Sequence, residues 1–175
     1  MAVDQATIKA AQMGRREAMA ELLRSLQDPW FRLAVTLLGS REEARDATQE
    51  AALRFVRDLP HFGGQSQLRT WAIGLALNVI REHRRKRPMT FLAEMEGQSP
   101  LPGPAVQVEL AEQLQVLRSL LEELPDRQRE ALILRYFEDL PVQEAATVMN
   151  CATGTIKATV HQALRALRRR MTTRQ

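Results

Sequence analysis

The stretch VQEAATVMNCATGTIKATVHQALRALRRR, residues 142–170, has the pattern of two short helices joined by a tight turn. Pro141 can open the first helix, because a missing N–H costs nothing at the first helical position. Asn150 is predicted to make the turn, since asparagine is the most tolerant residue of positive φ after glycine. Thr153 is predicted to cap the second helix. The stretch therefore predicts a helix-turn-helix.

The second of these helices has an apolar face and a cationic face. Its apolar residues recur at spacings of three and four, and its basic residues fall outside that stripe. Such a helix fits the major groove of DNA, with the terminal arginine run near phosphates. An ordinary solvated helical hairpin is the alternative. The candidate DNA contacts are Thr153, Thr155, Lys157, Ala158, His161, Gln162 and Arg165.

Charge is distributed unevenly over the 175 residues of the chain. Residues 1–87 hold 15 Lys and Arg against 10 Asp and Glu, residues 88–124 hold 1 against 6, and residues 125–175 hold 9 against 5. Two basic blocks, with net charges of +5 and +4, thus flank a segment of net charge −5. This distribution favours a protein that touches nucleic acid at two places.

Enzyme and metal-site motifs are absent from the sequence. It contains no Gly-rich phosphate loop, no H-E-x-x-H, no paired cysteine spacing and no nucleophile motif. No enzymatic activity, cofactor or metal is therefore expected. The single cysteine, Cys151, cannot form an internal disulfide and is interpreted as a small core residue. Without an apolar run of about 18 residues, a cytoplasmic protein with no membrane insertion is expected.

The N-terminal half predicts helices with well-marked ends. Residues 4–26 form one or two helices, Pro29 restarts the chain, and residues 30–38 form a short apolar helix that Gly39 ends.

A capping box, Ser40 with Glu43, then predicts a helix over residues 41–59 that Pro60 ends. One face of this helix packs. A second face is acidic and partly apolar, and from the residues alone a solvated face is the preferred interpretation. That second face carries Asp46, Gln49, Glu50 and Leu53.

The loop PHFGGQS, residues 60–66, combines two glycines with an aromatic residue. Ser66 is predicted to cap a helix over residues 67–86. One stripe of that helix suits a surface that stacks bases and holds phosphates, although Trp71 could equally belong to the core. The stripe consists of Gln67, Trp71, Gly74, Asn78, Arg81 and Arg85.

Residues 88–105, with four prolines and two glycines, are predicted to be a linker. Helices are then expected over residues 106–123 and, after Pro125, over residues 126–137. The predicted fold is all-α. Two small helical domains, residues 1–87 and 106–175, are joined by the Pro- and Gly-containing linker, and the second domain contains the helix-turn-helix.

Three blocks of the chain together resemble the sigma-70 family of bacterial transcription initiation factors, specifically its extracytoplasmic-function (ECF) group. SREEARDATQEAALRFVRDLPHF, residues 40–62, is similar to the family's acidic D-x-x-Q-E helix, and SQLRTWAIGLALNVIREHRRKR, residues 66–87, to its tryptophan-to-asparagine helix with a basic end. The third block is LEELPDRQREALILRYFEDLPVQEAATVMNCATGTIKATVHQALRALRR, residues 121–169. The resemblance covers roughly residues 16–87 and 106–170.

The resemblance implies a non-enzymatic specificity subunit that binds core RNA polymerase, through its β′ and β subunits, and promoter DNA. Asp46, Gln49 and Glu50 match the motif that contacts the β′ coiled coil, and Leu53 lies on the same face. The helix-turn-helix would read the −35 element. Members of this group are commonly held inactive by an anti-sigma factor, so such a partner is expected.

The resemblance also places capture of a −10 base at the glycine-containing loop. The implied −10 contacts are Phe62, Gly64, Gln65, Ser66, Trp71, Asn78, Arg81 and Arg85. The linker would thread through the polymerase, where Glu94 and Glu96 would act as a mobile anion that nascent RNA displaces.

Five positions depart from the family pattern. Ala145 stands where a larger aliphatic residue is usual, Asn150 where glycine is common, and Ala52 where an aromatic residue is common. Glu82 replaces a frequent aspartate, and Thr159 stands where the recognition helix often carries arginine. The last change removes a cation that could touch DNA and so bears on the −35 preference.

Two other classes of protein compete with this interpretation. A two-domain regulator acting without polymerase should bind duplex DNA alone, tightly and specifically. A helical adaptor whose basic ends bind partners should not bind DNA specifically under any condition.

Overall fold

The computed structural model describes residues 4–86, residue 116 and residues 119–173. Regular structure in these residues is helical, which confirms the all-α prediction. The chain divides into two compact units, one built mainly from its N-terminal part and one mainly from its C-terminal part. The predicted linker and most of the helix predicted over residues 106–123 lie outside the described residues. Among the described helices, none is both long and apolar enough to cross a membrane.

The N-terminal unit is a bundle of α-helices around one core. Helix α1 spans Gln5–Gln12, α2 spans Arg16–Leu38, α3 spans Arg41–Asp58 and α4 spans Leu68–Lys86, with a 3-10 turn at Leu59–His61. Helices α2, α3 and α4 pack on one another because each presents a continuous apolar stripe. The largest buried side chains of this core are Leu22, Trp30, Leu33, Phe55, Leu59, Ile73, Leu77 and Ile80.

Pro29 lies inside α2, so the prediction that it restarts the chain is wrong. A proline in a helix interior costs about 3 kcal/mol, because it removes a backbone hydrogen bond and crowds the preceding turn. Leu26, Trp30 and Leu33 are buried around it, and each such side chain contributes about 1.5–3 kcal/mol. The Trp30 indole N–H also donates to the Ala72 carbonyl at 3.0 Å. The free energy gained by burying these side chains therefore exceeds the cost of the proline. Helix α2 continues through Pro29 and is 23 residues long.

The boundary between α2 and α3 forms as predicted. Gly39 ends α2 in the left-handed conformation, with φ of 76°. The Ser40 hydroxyl oxygen accepts a hydrogen bond from the Glu43 backbone N–H at 3.3 Å, as a capping box requires. The packing stripe of α3 is buried, and it consists of Ala44, Ala47, Ala51 and Phe55. Helix α3 ends at Asp58, one residue earlier than predicted, because Leu59, which is buried, and Pro60 belong to the 3-10 turn that follows.

Helix α4 begins at Leu68, one residue later than predicted. The Gln67 carbonyl accepts the first helical hydrogen bond, from the Trp71 N–H at 3.1 Å, so Gln67 occupies the N-cap position. Ser66, the predicted cap, lies one residue earlier, and its hydroxyl donates to the Gln67 carbonyl at 3.4 Å.

The C-terminal unit contains the helix-turn-helix. Helix α5 spans Asp126–Tyr136, α6 spans Val142–Val148 and α7 spans Thr153–Thr173. Helix α5 follows Pro125 as predicted and ends one residue earlier than expected. Helices α5 and α7 pack together, and part of the core is formed by Leu120, Leu121, Leu124, Leu132, Ala163 and Leu167.

Two turns of this unit use positive φ at residues other than glycine. Asn150 has φ of 48°, which confirms it as the turn of the helix-turn-helix. Asp139 has φ of 51° and was not predicted. The guanidinium of Arg135 donates to the Leu140 carbonyl just beyond Asp139, which ties this second turn to α5. Cys151, predicted to be a core residue, is only half-buried.

Thr153 is the first residue of α7 rather than its cap. The Ala152 carbonyl accepts hydrogen bonds from the Thr155 N–H at 2.9 Å and the Ile156 N–H at 3.2 Å, so Ala152 occupies the N-cap position. Helix starts are read from sequence to within a residue or two, and the prediction is displaced by one.

Candidate functional surfaces

The second face of α3 is exposed, as its periodicity predicts. Asp46 and Gln49 are exposed, Leu53 has 73% of its surface exposed, and Glu50 is half-buried. Because the opposite stripe of α3 is held in the core, this face cannot turn inward. Val56, which is 41% exposed, lies three residues after Leu53, so this side of the helix combines polar side chains with a small apolar patch.

A shallow groove of about 330 Å³ runs beside Leu53 between α2 and α3. Gln49 and Leu53, both predicted, contribute to its wall. The wall also includes residues that sequence reasoning did not find, because they lie on another helix or off the predicted face. The lining residues are Leu23, Gln27, Thr48, Gln49, Ala52, Leu53 and Val56. Ala52 is one of the family departures, and its small side chain leaves room in the groove.

Glu50 belongs to a charged cluster that joins α3 to α4. The guanidinium of Arg54 donates to the carboxylates of both Glu50 and Glu82, and it reaches Glu82 Oε1 at 2.8 Å. His83 Nε2 lies 2.9 Å from Glu50 Oε2. The His83 hydrogen bond, with help from Arg54, holds the pKa of Glu50 below its ordinary value. Arg54 likewise lowers the pKa of Glu82, so both carboxylates stay ionised and oriented.

Trp71 is half-buried and belongs to a row of aromatic rings that begins at the buried Trp30 and ends at Phe62. Its ring centroid lies 4.9 Å from that of Phe62 and 5.4 Å from that of Phe55, which in turn lies 5.6 Å from that of Trp30. One part of Trp71 therefore packs and another part reaches the surface. The core interpretation therefore holds for the packed part of the ring, and the base-stacking interpretation stays a prediction.

The remaining stripe of α4 is polar and open to solvent. Gln67, Asn78 and Arg85 are exposed, while Gly74 and Arg81 are half-buried. The Arg81 guanidinium donates to Asn78 Oδ1 at 3.3 Å. The helix ends in a basic turn, so its C-terminal half presents cations and amide groups along one side.

The glycine-containing loop borders a cavity of about 490 Å³. Three of the residues predicted to contact the −10 base, Phe62, Gly64 and Ser66, line it, and Gly64 has φ of 72°. Gln65 is exposed and lies outside the cavity wall, so the structure does not bring this predicted residue to the cavity. Residues that sequence reasoning missed include Gln5, Ile8, Lys9 and Gln12 on α1. These residues are far from the loop in sequence, so no local sequence pattern indicates that they lie beside it.

Helix α7 presents the predicted polar face. Lys157, His161 and Arg165 follow one another at steps of four residues and are all exposed, so they share one side of the helix. Thr155, Ala158 and Gln162 are exposed as well, and Thr153 is half-buried at the helix start. The opposite side is anchored by Ile156, Ala163 and Leu167. The face offers cations, donors and a methyl group without disturbing the core.

Within the parts of the chain that the structure describes, no three His, Cys, Asp or Glu side chains lie together as metal ligands would.

Two family descriptions match the chain: Sigma-70 region 2 over residues 22–88 and Sigma-70, region 4 over residues 114–167. The ECF RNA polymerase sigma factor SigW of Bacillus subtilis (strain 168) is 28% identical, over 94% of each chain. The ECF RNA polymerase sigma factor SigC of Mycobacterium tuberculosis is 32% identical, over 95% of this chain and 89% of its own. The sigma factor RpoE of Bartonella quintana, solved with the anti-sigma factor NepR, has a similar fold. Its TM-score is 0.70 at 24% identity, over 87% of this chain and 96% of that one.

Proposed function

The chain belongs to the sigma-70 family, in its extracytoplasmic-function group, and we propose that three of its surfaces divide the work of a sigma factor. It binds core RNA polymerase and directs promoter-specific initiation by recognising −35 and −10 elements and assisting strand opening. The relatives are polymerase sigma factors, which disfavours a regulator acting without polymerase. In this proposal residues 1–87 and 106–175 are the two working domains, residues 88–105 link them, and the chain works in the cytoplasm.

The exposed face of α3 binds the β′ subunit of core polymerase. The observation that carries this assignment is Leu53, which lies in water at 73% exposure on a helix whose opposite stripe is buried. Asp46 and Gln49 supply the surrounding polar contacts, and the charged cluster holds Glu50 in place. Binding would bury this leucine within a rim of polar side chains, and protein interfaces commonly combine an apolar centre with a polar rim.

The loop and the α4 stripe hold the melted −10 strand. Taking a base out of the stack costs a few kcal/mol, which a pocket and phosphate contacts must offset. The cavity beside Gly64 has the volume of a small-molecule site. The Trp71–Phe62 ring pair stands next to it, and Arg81 and Arg85 extend along α4 to hold phosphates.

The exposed face of α7 reads the −35 duplex. Lys157, His161 and Arg165 share one side of the helix, and Thr155 and Ala158 lie near its N-terminal end. This end of a recognition helix contacts base edges in helix-turn-helix proteins. Thr159 stands where the family often has arginine, and it is half-buried at the edge of this face. The difference between threonine and arginine therefore affects the edge of the DNA-binding face.

Replacing loop residues 62–66 with Gly and Ser residues tests the −10 assignment. Core binding and −35 protection should persist, because α3 and α7 are untouched. Permanganate reactivity of −10 thymines should disappear, since the captured base no longer offsets strand opening. A pre-melted bubble template should restore much of the transcription. If the bubble fails to rescue, the loop does something other than capture a base.

Regulation by an anti-sigma factor is a further part of this proposal. The solved structure of similar fold contains the sigma factor RpoE together with the anti-sigma factor NepR. The open groove beside Leu53 offers apolar surface that a protein of this class can cover in place of polymerase. A bound inhibitor should therefore exclude core polymerase, and simultaneous binding of both would argue against competition at this groove.

A further inference from the structure

Gln12, the last residue of α1, reaches across to the start of the glycine-containing loop. Its side-chain amide nitrogen donates to the Leu59 carbonyl at 3.1 Å and to the Phe62 carbonyl at 2.9 Å. A carboxamide nitrogen carries two hydrogens, so these two bonds use its whole donor capacity. The side chain thus ties α1 to backbone groups 47 and 50 residues away.

Gly63 and Gly64 form the part of the loop just beyond Phe62. A Cβ atom added at either glycine would meet no heavy atom within 4 Å, so no neighbouring group packs against the backbone on that side. Glycines also allow more backbone conformations than other residues. The position of the loop therefore depends strongly on how its first residues are anchored.

Helix α1 is also a wall of the cavity that the loop encloses. Gln5, Ile8 and Lys9 line the cavity together with Gln12, opposite Gly63 and other loop residues. Displacing the loop from α1 would therefore change the width of the cavity.

We propose that Gln12 is a positioning residue for capture of the −10 base: it holds the loop at the distance from α1 at which the cavity accepts one particular base. The inference rests on the proposed role of the loop in base capture. Gln12 does not read the base. Its effect is on base selectivity, because a misplaced pocket wall weakens contacts with the correct base far more than it weakens phosphate contacts.

Three variants separate this role from simpler ones. Gln12→Met keeps the length of the side chain and removes both donors. Gln12→Lys restores a donor group able to reach the two carbonyls. Thr7→Val removes a polar group from the same helix, at a half-buried residue that does not line the cavity and does not touch the Gln12 hydrogen bonds.

The test uses holoenzyme assembled from core polymerase and the full chain, with a pool of single-stranded DNA oligonucleotides randomised over twelve positions. Retained strands are sequenced, and the total DNA and the core polymerase bound are measured in parallel. Wild type should enrich one base at one position. Gln12→Met should reduce that enrichment about tenfold, while retained DNA and bound polymerase stay within twofold of wild type. Gln12→Lys should regain most of the enrichment, and Thr7→Val should keep it.

Two results overturn the inference alone: wild type and Gln12→Met giving the same enrichment, or Thr7→Val losing as much enrichment as Gln12→Met. The second would mean that any disturbance of α1 lowers the enrichment, so that the loop tie is not its cause. A wild-type holoenzyme that enriches no base would instead contradict base capture by this protein, and the inference would fall with it.

Discussion

Truncation of Leu53 should weaken polymerase binding without weakening the fold. Full burial of a leucine contributes about 1.5–3 kcal/mol, and 73% of the Leu53 surface is available to be covered. Leu53→Ala should then cost about 1–2 kcal/mol of binding free energy, which raises the Kd for core polymerase roughly 5- to 30-fold. Because the side chain is already in water in the free chain, the free energy of unfolding should change by less than about 0.5 kcal/mol.

The assay is a titration of fluorescently labelled chain with core polymerase, accompanied by urea denaturation of each variant. Met13→Ala is the matched control, since Met13 is 81% exposed in the turn after α1, away from the α2–α3 groove. This control should leave the Kd unchanged. If the Kd of Leu53→Ala for core polymerase lies within twofold of the wild-type value, or if Met13→Ala raises the Kd as much, Leu53 does not lie in the polymerase interface.

Four further outcomes are expected. Trp30→Phe should lower the free energy of unfolding by about 1–3 kcal/mol in urea denaturation, because it removes a buried hydrogen bond and leaves a void. Asn150→Val should cost about 1–2 kcal/mol in the same measurement and Asn150→Gly nothing, since φ is 48° there. Lys157→Ala should weaken holoenzyme binding to duplex promoters of any −35 sequence and lower the salt slope by about 1, and an unchanged slope would exclude a phosphate contact. Because the pKa values of Glu50 and Glu82 are depressed in the folded state, the unfolded chain binds more protons as the pH falls through the carboxylate range. Stability should therefore drop below about pH 4.5, by under about 1 kcal/mol for these half-buried, solvent-screened pairs, and Glu82→Gln should reduce that drop.

Local signals predicted most of the fold. Gly39, Ser40 and Pro125 mark helix ends through backbone chemistry that acts within a few residues, and the helices end or begin there. Pro29 misled the prediction because its effect is decided by long-range burial around Trp30, which no local pattern contains. Sequence periodicity also cannot show that the Arg135 side chain supports the turn at Asp139.

For the functional surfaces too, the sequence predicted what depends on local pattern and missed what depends on contacts between helices. Periodicity identified the exposed faces of α3 and α7, because exposure on a helix follows directly from which stripe packs. It could not find Leu23 on the groove or Gln12 on the loop, since each reaches its site across a helix–helix contact. Gln65 was placed in the base cavity because it is polar and lies in the loop, yet the loop backbone leaves it outside the wall.

Run-off transcription with bacterial core RNA polymerase, with and without this chain, shows whether the chain acts as a sigma factor. The template pool is genomic DNA fragments from the source organism, and transcript starts are mapped by sequencing. We predict that the chain makes core polymerase start at discrete positions preceded by a shared pair of −35 and −10 sequences, and that the chain alone protects none of these duplexes. Unchanged start sites on adding the chain, or tight and specific duplex binding by the chain without polymerase, would contradict it.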